Sequence, residues 1–430
     1  MQVSGCKAGL FRKAPHEVYV PRIQRGEVYF TANVLGARGA LLSVLVHFFE
    51  HGRWASLVQA GAEGQDLTPE DQLFILMQAA LYLTALRGQA SLEARSCYER
   101  AESLCHSVNC PRLLYVALIG QWRYSLMTDK RTATMEIAKR VYTVARKQND
   151  AALMVGACRA LALTLLSMGD FERALQHARR GVQIWREGGT PSLVEEVYTP
   201  AVLCLSFGAF CEWHLGETVF CRRTMTEALS LSKTLSDTHA LAMVLTLAAM
   251  LSCIENNPAE VERYASDLIE VSTRHQFAYW LACGAIFRGW ARSASGDTAE
   301  GISWIEDGIR DYRTTGSVLV VPYWLALKAE ALNLADRTSE ALEAIKEAEA
   351  VAQRTEERCW SAELHRLQGV FLTAMGDDQT EIENSFREAI RIAKEQKSVS
   401  LEKRAEATYA EYRRQKASRS GARGFRLPFS

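Results

Sequence analysis

Apolar and small residues recur three and four positions apart through most of the chain, the spacing of a helix with one buried face. In GDFERALQHARRGVQIW the series runs Phe171, Ala174, Leu175, Ala178, Val182 and Trp185. Between such runs a turn signal returns at Gly88, Thr128, Gly169, Gly216, Asn256, Gly296, Asp336 and Gly376. Successive steps are 40, 41, 47, 40, 40, 40 and 40 residues, and a turn near Gly52 begins the series. Two helices of about four turns each, with two connections, fill a unit of about 40 residues.

Small residues keep the same period. Seven before the turn stand Ala162, Ala209, Ala249, Gly289, Ala329 and Gly369; twelve after it stand Gly181, Ala228, Gly308 and Ala348. A third position, five after the turn, holds Ala133, Ala174, Gly301 and Ala341; in the last unit Ala389 stands one beyond the twelve-after position. Two helices approach closely only where a side chain is missing, so these positions mark the crossings. Asp170, Asp297 and Asp377 each follow a turn glycine, where a carboxylate caps the next helix. Pro258 suits a first helical turn. The expected fold is all-α, a right-handed superhelix of helix pairs.

Composition agrees and narrows the function. Hydrophobic residues are 48% of the 430, and only 9 are proline. Lys+Arg and Asp+Glu both number 50, so no global charge draws the chain to nucleic acid or to an anionic membrane. The eleven cysteines mostly lie in apolar stretches, as Cys158, Cys204, Cys253 and Cys283 do. That is the usage of buried free thiols in a reducing cytoplasm. The N-terminus has no apolar signal region. The apolar run from Val34 to Phe49 contains Arg38 and is too short to span a bilayer. Three segments are expected: 1–33, extended or irregular; 34–412, the repeat array; and 413–430, a disordered tail with six Arg/Lys and no acid.

The small positions and the Gly-Asp turn resemble the tetratricopeptide (TPR) pattern, with a longer repeat. From about Leu113 to Arg414 the chain is also similar to the C-terminal repeat region of large bacterial signalling ATPases. FAYWLACGAIFRGWARSASGDTAEGISWIEDGIRDYRTTG, VPYWLALKAEAL and ERCWSAELHRLQGVFLTAMG carry that resemblance. In that family a cyclase or winged-helix domain precedes an ATPase module. No G-x-x-x-x-G-K-[ST] phosphate loop is present here, and no stretch resembles either N-terminal domain. The resemblance therefore implies the sensory or partner-binding part.

Candidate chemistry is sparse. His47-Phe48-Phe49-Glu50-His51 spells H-x-x-E-H and places two histidines on one helix face, but at a helix end without the domain a zinc peptidase needs. Cys204, Cys211, His214 and Cys221 match no standard zinc spacing and read as a buried face. Trp280, Trp290, Trp304, Tyr323, Trp324 and Trp360 read as core. No catalytic residue, metal or cofactor is expected. In TPR arrays the first helix of each pair lines a concave groove, which here gives Arg159, Trp213, His214, Trp290, Tyr323, Glu330, Asn333, Glu363 and Arg366. Such a wall suits a protein or peptide partner, with no nucleic acid or membrane involved. The alternative is a small-molecule sensor acting on a separate ATPase, cyclase or regulator. A long open groove would favour the peptide; a closed, largely apolar pocket would favour the small molecule.

Overall fold

The computed structural model describes residues 19–24, 27–32, 69–188 and 198–419. The chain divides into a first unit, 1–79, and a second, 80–430. In the first, β1 (Tyr19–Gln24) and β2 (Glu27–Ala32) form an antiparallel ribbon with Tyr19 opposite Ala32. The segment expected to be extended or irregular thus contains a hairpin. Pro21 is tolerated because each strand of a two-stranded ribbon is an edge. The H-x-x-E-H stretch and the Gly52 turn lie outside the described residues.

Seventeen helices follow among the described residues. They are α1 (Pro69–Arg87), α2 (Leu92–Ser107), α3 (Pro111–Thr128), α4 (Arg131–Gln148), α5 (Ala151–Ser167), α6 (Phe171–Gly188), α7 (Pro200–His214), α8 (Thr218–Thr234) and α9 (Thr238–Ile254). Then come α10 (Pro258–His275), α11 (Ala278–Ala294), α12 (Thr298–Thr314), α13 (Val321–Leu334), α14 (Thr338–Thr355), α15 (Ser361–Met375), α16 (Gln379–Glu395) and α17 (Val399–Arg419). Odd-numbered helices are the first members of the pairs and even-numbered ones the second. The first helices α3, α5, α7 and α9 are buried nearly all round, α7 at every position, whereas α17 buries only Leu401, Ala405 and Tyr412 among its described positions. The second helices bury one stripe, such as Phe171, Ala174, Leu175, Ala178, Gly181 and Val182 of α6.

The recurring turn has a backbone cause. Gly88, Gly169, Gly216, Asn256, Gly296, Asp336 and Gly376 all have positive φ, the left-handed residue that ends a helix and reverses the chain. Thr128 is not among them. In that unit the sequence register is off by one: Ala133 is exposed and Thr134 is the buried residue. Asp170 caps α6 by accepting from the Arg173 amide at 3.2 Å, and Asp297 caps α12 by accepting from Glu300. In the last pair the cap is Asp378, not Asp377, because one residue is inserted there.

The crossings fall where the small residues stand. A Cβ on Gly289 would lie 2.5 Å from the Gly301 carbonyl oxygen, and one on Gly369 2.8 Å from the Phe386 ring. Neither position admits a side chain without moving backbone or a packed ring.

The second unit then closes on itself. The Val318 amide donates to the Met127 carbonyl at 2.8 Å, and the Arg358 and Cys359 amides donate to the Ser167 carbonyl at 2.8 and 3.2 Å. His214 Nδ1 meets Ser398 Oγ at 2.9 Å, and Lys397 pairs with Glu172 at 2.6 Å. Arg404 donates to the Ile254 carbonyl at 2.8 Å. The His214–Ser398 and Lys397–Glu172 contacts join residues 184 and 225 apart in sequence. Turns between the helices of early pairs therefore sit on loops of late pairs, and the superhelix has a seam.

The boundary expected at residue 412 falls inside α17, which continues to Arg419; residues 420–430 are outside the described set. No helix among the described residues is long and apolar enough to cross a membrane.

Candidate ligand cavity inside the superhelix

Side chains of the first helices α3, α5, α7, α9, α11 and α13 converge on the interior of the second unit. What remains is a cavity with about 80 Å³ for the centres of water-sized molecules. That is room for roughly five to eight waters, or for one ring-sized group. Leu126, Leu166, Phe207, Phe210, Leu247 and Met250 supply its apolar wall, from α3, α5, α7 and α9. Trp122, Trp280, Trp324 and Trp360 add flat aromatic surface. Most lining side chains are buried; Gln89, Leu163, Met243, Tyr279 and Val320 are half-buried.

A few polar groups interrupt this wall. Arg123 and Arg159 are 2% and 1% exposed. Arg159 lies over the Trp122 ring, 4.7 Å from its centroid, and Arg123 donates to the Tyr98 hydroxyl at 3.3 Å. The Tyr198 phenol accepts from Gln89. Burial raises its pKa, and the nearby Arg123 and Arg159 act in the opposite direction. The Trp122 indole N–H donates to Thr164 at 2.9 Å. The Trp324 indole N–H is buried and has no acceptor.

Glu357 belongs to both cavity and seam. It lines the cavity, and both its oxygens accept from the Val320 amide at 3.2 and 3.0 Å. Burial pushes its pKa up to about 7, against the opposing pull of Arg131 and the Val320 amide. Val320 has φ of 65°, strained for a β-branched residue. Arg131 is fully buried at the seam and donates to the carbonyls of Leu126, Asp129 and Thr355 at 2.5, 2.7 and 3.3 Å.

Of the nine groove positions counted from the sequence, Arg159 lines this cavity. Trp213 and His214 are at the seam, where His214 stacks on Phe171 with centroids 3.7 Å apart. Burial holds the His214 pKa down at about 3. Five others lie on α11, α13 and α15, and of these Glu363 and Arg366 contact α17. Trp290 donates to Glu330 at 2.8 Å, and Arg366 grips Glu363 through two bonds of 2.9 and 2.6 Å. Arg404 adds a third bond to Glu363 at 3.1 Å, and Tyr323 stacks on Trp360 at 4.2 Å. Asn333 sits at the α13–α14 turn and accepts from Thr338 at 3.0 Å. Trp280, Trp290, Tyr323, Trp324 and Trp360 are core, as read from sequence, and Trp304 is half-buried under Arg288.

Sequence reasoning missed Arg123, Arg131, Tyr198 and Glu357. The available signal was charge inside apolar helical runs, as in LLYVALIGQWRYSLM, because a buried guanidinium needs a structural or binding reason. Among the described residues, no three His, Cys, Asp or Glu side chains stand where they could hold a metal ion. The ten described cysteines are free, and all but Cys110 are buried; burial raises the Cys211 and Cys283 pKa values and suppresses thiolate character.

No protein-family profile matches the chain. An uncharacterised protein of Rhizobium meliloti is 23% identical over 193 residues, 45% of this chain. The match spans only 19% of that protein's length. The solved structure of NprR in complex with its cognate peptide NprX superposes with a TM-score of 0.53 at 14% identity, over 80% of this chain and 95% of that one. That likeness establishes the fold, a TPR-type helical-repeat solenoid. A STAND-type signal-transduction ATPase with a TPR sensor, from Pyrococcus horikoshii, aligns over 91% of this chain and 58% of its own at 12% identity and a TM-score of 0.39.

Proposed function

We propose that this chain is a non-catalytic sensory solenoid that holds a small, mostly apolar ligand in the interior cavity and signals its presence through closure of the seam. The observation that carries this reading is the apolar, aromatic lining of the interior cavity. The first helices here line a partly open, apolar and aromatic chamber with a few polar groups, the makeup of a small-molecule site. The cluster of Glu330, Glu363, Arg366 and Arg404 is satisfied within the chain, which argues against those groups waiting for a partner. Leu319, Val320 and Glu357 touch the cavity, while the adjacent Val318 and Arg358 amides make seam bonds. A ligand that fits only the closed form stabilises the seam by its differential affinity for that form. The output then passes to a separate protein.

NprR, which shares the fold, was solved with a peptide, so a peptide that inserts one apolar side chain into the chamber is the second reading. One experiment separates them. The purified protein is equilibrated with a cell extract and studied by native mass spectrometry, beside Leu163→Trp, which fills the cavity from a half-buried position. A small-molecule adduct present on the parent and lost from the variant supports the proposal. A peptide adduct in its place supports the second reading. An adduct indifferent to Leu163→Trp defeats both.

A further inference from the structure

The loop between α2 and α3 brings two thiols together, and one of them meets solvent. Asn109, with φ of 50°, ends α2 in the left-handed conformation, and the Cys110 amide donates back to the Cys105 carbonyl at 3.1 Å. This bond closes a helix-ending loop of the kind that sets the side chains of its first and sixth residues against each other. With ordinary bond lengths, one near-linear N–H···O bond holds the two Cα atoms within about 6.5 Å. Disulfides span about 4.4–6.8 Å between Cα atoms, so the loop has the reach for a bridge. The thiols already sense each other: burial, and then the neighbouring Cys110, push the Cys105 pKa up to about 12. Their exposure differs. Cys105 is 2% exposed on the buried stripe of α2, whereas Cys110, at the cap of α3, is half-buried. The other nine described cysteines are all buried. Cys158 and Cys204 also lie together, both against Gly181, but each is 0% exposed, and no oxidant in solvent reaches them.

We propose that Cys110 and Cys105 form a reversible intramolecular disulfide when the chain meets a hydroperoxide, Cys110 reacting first and Cys105 resolving. The Cys110 sulfur attacks one peroxide oxygen. An S–O bond forms, the O–O bond breaks, and the leaving oxygen departs as water or alcohol with the thiol proton. The Cys105 sulfur then attacks the sulfenic sulfur. The S–S bond forms, the S–O bond breaks, and the hydroxyl leaves as water with the Cys105 proton. The two thiols together lose two electrons, which reduce the peroxide. A neutral sulfenic acid at position 110 also removes the charge that opposes ionisation of Cys105, so the first step prepares the second. A thiol reductant restores both thiols. In a reducing compartment such a bond is transient, as in redox-sensing pairs. Its place bears on the packing. A Cβ on Gly120 of α3 would collide with the Tyr98 ring of α2, and Gln121 donates to the Tyr98 carbonyl at 3.4 Å and to Glu102 at 2.6 Å. α2 thus packs closely on α3, and the disulfide fixes the last turn of one to the cap of the other. This site is independent of the cavity reading above.

The experiment uses the full chain unaltered. The folded protein is treated with hydrogen peroxide beside glutathione, at the lowest dose that oxidises the glutathione. It is then denatured, alkylated with iodoacetamide and cut with trypsin. Cleavage after Arg100 and Arg112 releases the peptide 101–112, which holds Cys105 and Cys110 and no other cysteine. That peptide is expected to lose both alkylation sites and to weigh two hydrogen atoms less than its reduced form. Dithiothreitol is expected to return both sites, and Cys158, Cys204, Cys253 and Cys283 are expected to stay fully alkylated. Cys105→Ala is expected to stop at the sulfenic acid, so that dimedone labels Cys110 in the variant and not in the parent. Three results overturn the proposal: both cysteines of 101–112 alkylated after the peroxide, Cys110 carried on to sulfinic acid while Cys105 is alkylated, or Cys110 bridged to a second chain.

Discussion

Glu357 is the residue at which cavity, seam and strained backbone meet, and Glu357→Gln isolates its charge. The amide keeps an acceptor for the Val320 N–H and nearly the same volume. In the folded chain the carboxyl titrates at about 7, against an ordinary value of 4.5. A carboxyl whose pKa is raised by folding binds its proton more tightly in the folded state. Its contribution to stability is therefore present at low pH and is lost as pH rises from about 4.5 through 7. At 1.36 kcal/mol per pH unit the loss is about 1 kcal/mol at pH 5 and about 3 kcal/mol at pH 8. Glu357→Gln never ionises and escapes this loss. The variant's stability relative to the parent is expected to rise by about 2 kcal/mol between those two pH values. His214, held at about 3 by burial, acts in the other sense, because its contribution is complete above about 6.5 and is lost as pH falls toward 3. It is common to both proteins and cancels in the difference. Urea unfolding followed by helical circular dichroism at several pH values measures the difference directly. A difference that stays constant with pH, or that shrinks as pH rises, refutes the placement of Glu357 in a desolvated wall.

Two further perturbations test the packing. Gly289→Leu and Gly369→Leu each drive a side chain into a crossing where even a Cβ lies 2.5 or 2.8 Å from its neighbour, so each is expected to destabilise by about 1–3 kcal/mol or more; unchanged melting of both would place the crossings elsewhere. Arg366→Ala removes the main partner of the buried Glu363, whose carboxyl is held near 2 against the effect of burial by Arg366 and Arg404. Breaking such a pair costs about 3–5 kcal/mol, so thermal melting should show a marked loss, and a neutral result would mean that the cluster is solvated.

The fold was legible because the repeat prints itself twice, once in glycine-rich turns and once in small residues. A second series of left-handed residues ends the even-numbered helices, at Asn109, Asn149, Ser236, Gln276, Gly316, Glu356 and Lys397. It was not legible, because in most units the residue is not glycine and the sequence gives no common mark. The seam was hidden for a related reason. The Val318 to Met127 and Arg358 to Ser167 bonds join backbone groups, which any residue supplies. The 40-residue period states that neighbours stack; it says nothing about pitch, and pitch decides whether the axis is an open groove or a chamber. Groove counting placed Tyr323, Glu330, Glu363 and Arg366 on first helices, where they are. Without the pitch it had no means of showing that α17 packs on Glu363 and Arg366 through Arg404 and Thr408.

The account's central claim is that occupancy of the cavity is felt at the seam, and amide hydrogen exchange measures this most directly. With benzene at saturation, the account predicts slower exchange at the Val318, Arg358 and Cys359 amides, which bond across the seam. It predicts little change in the outward-facing helix α8. Saturating benzene that leaves those three amides exchanging as in the free protein would contradict it.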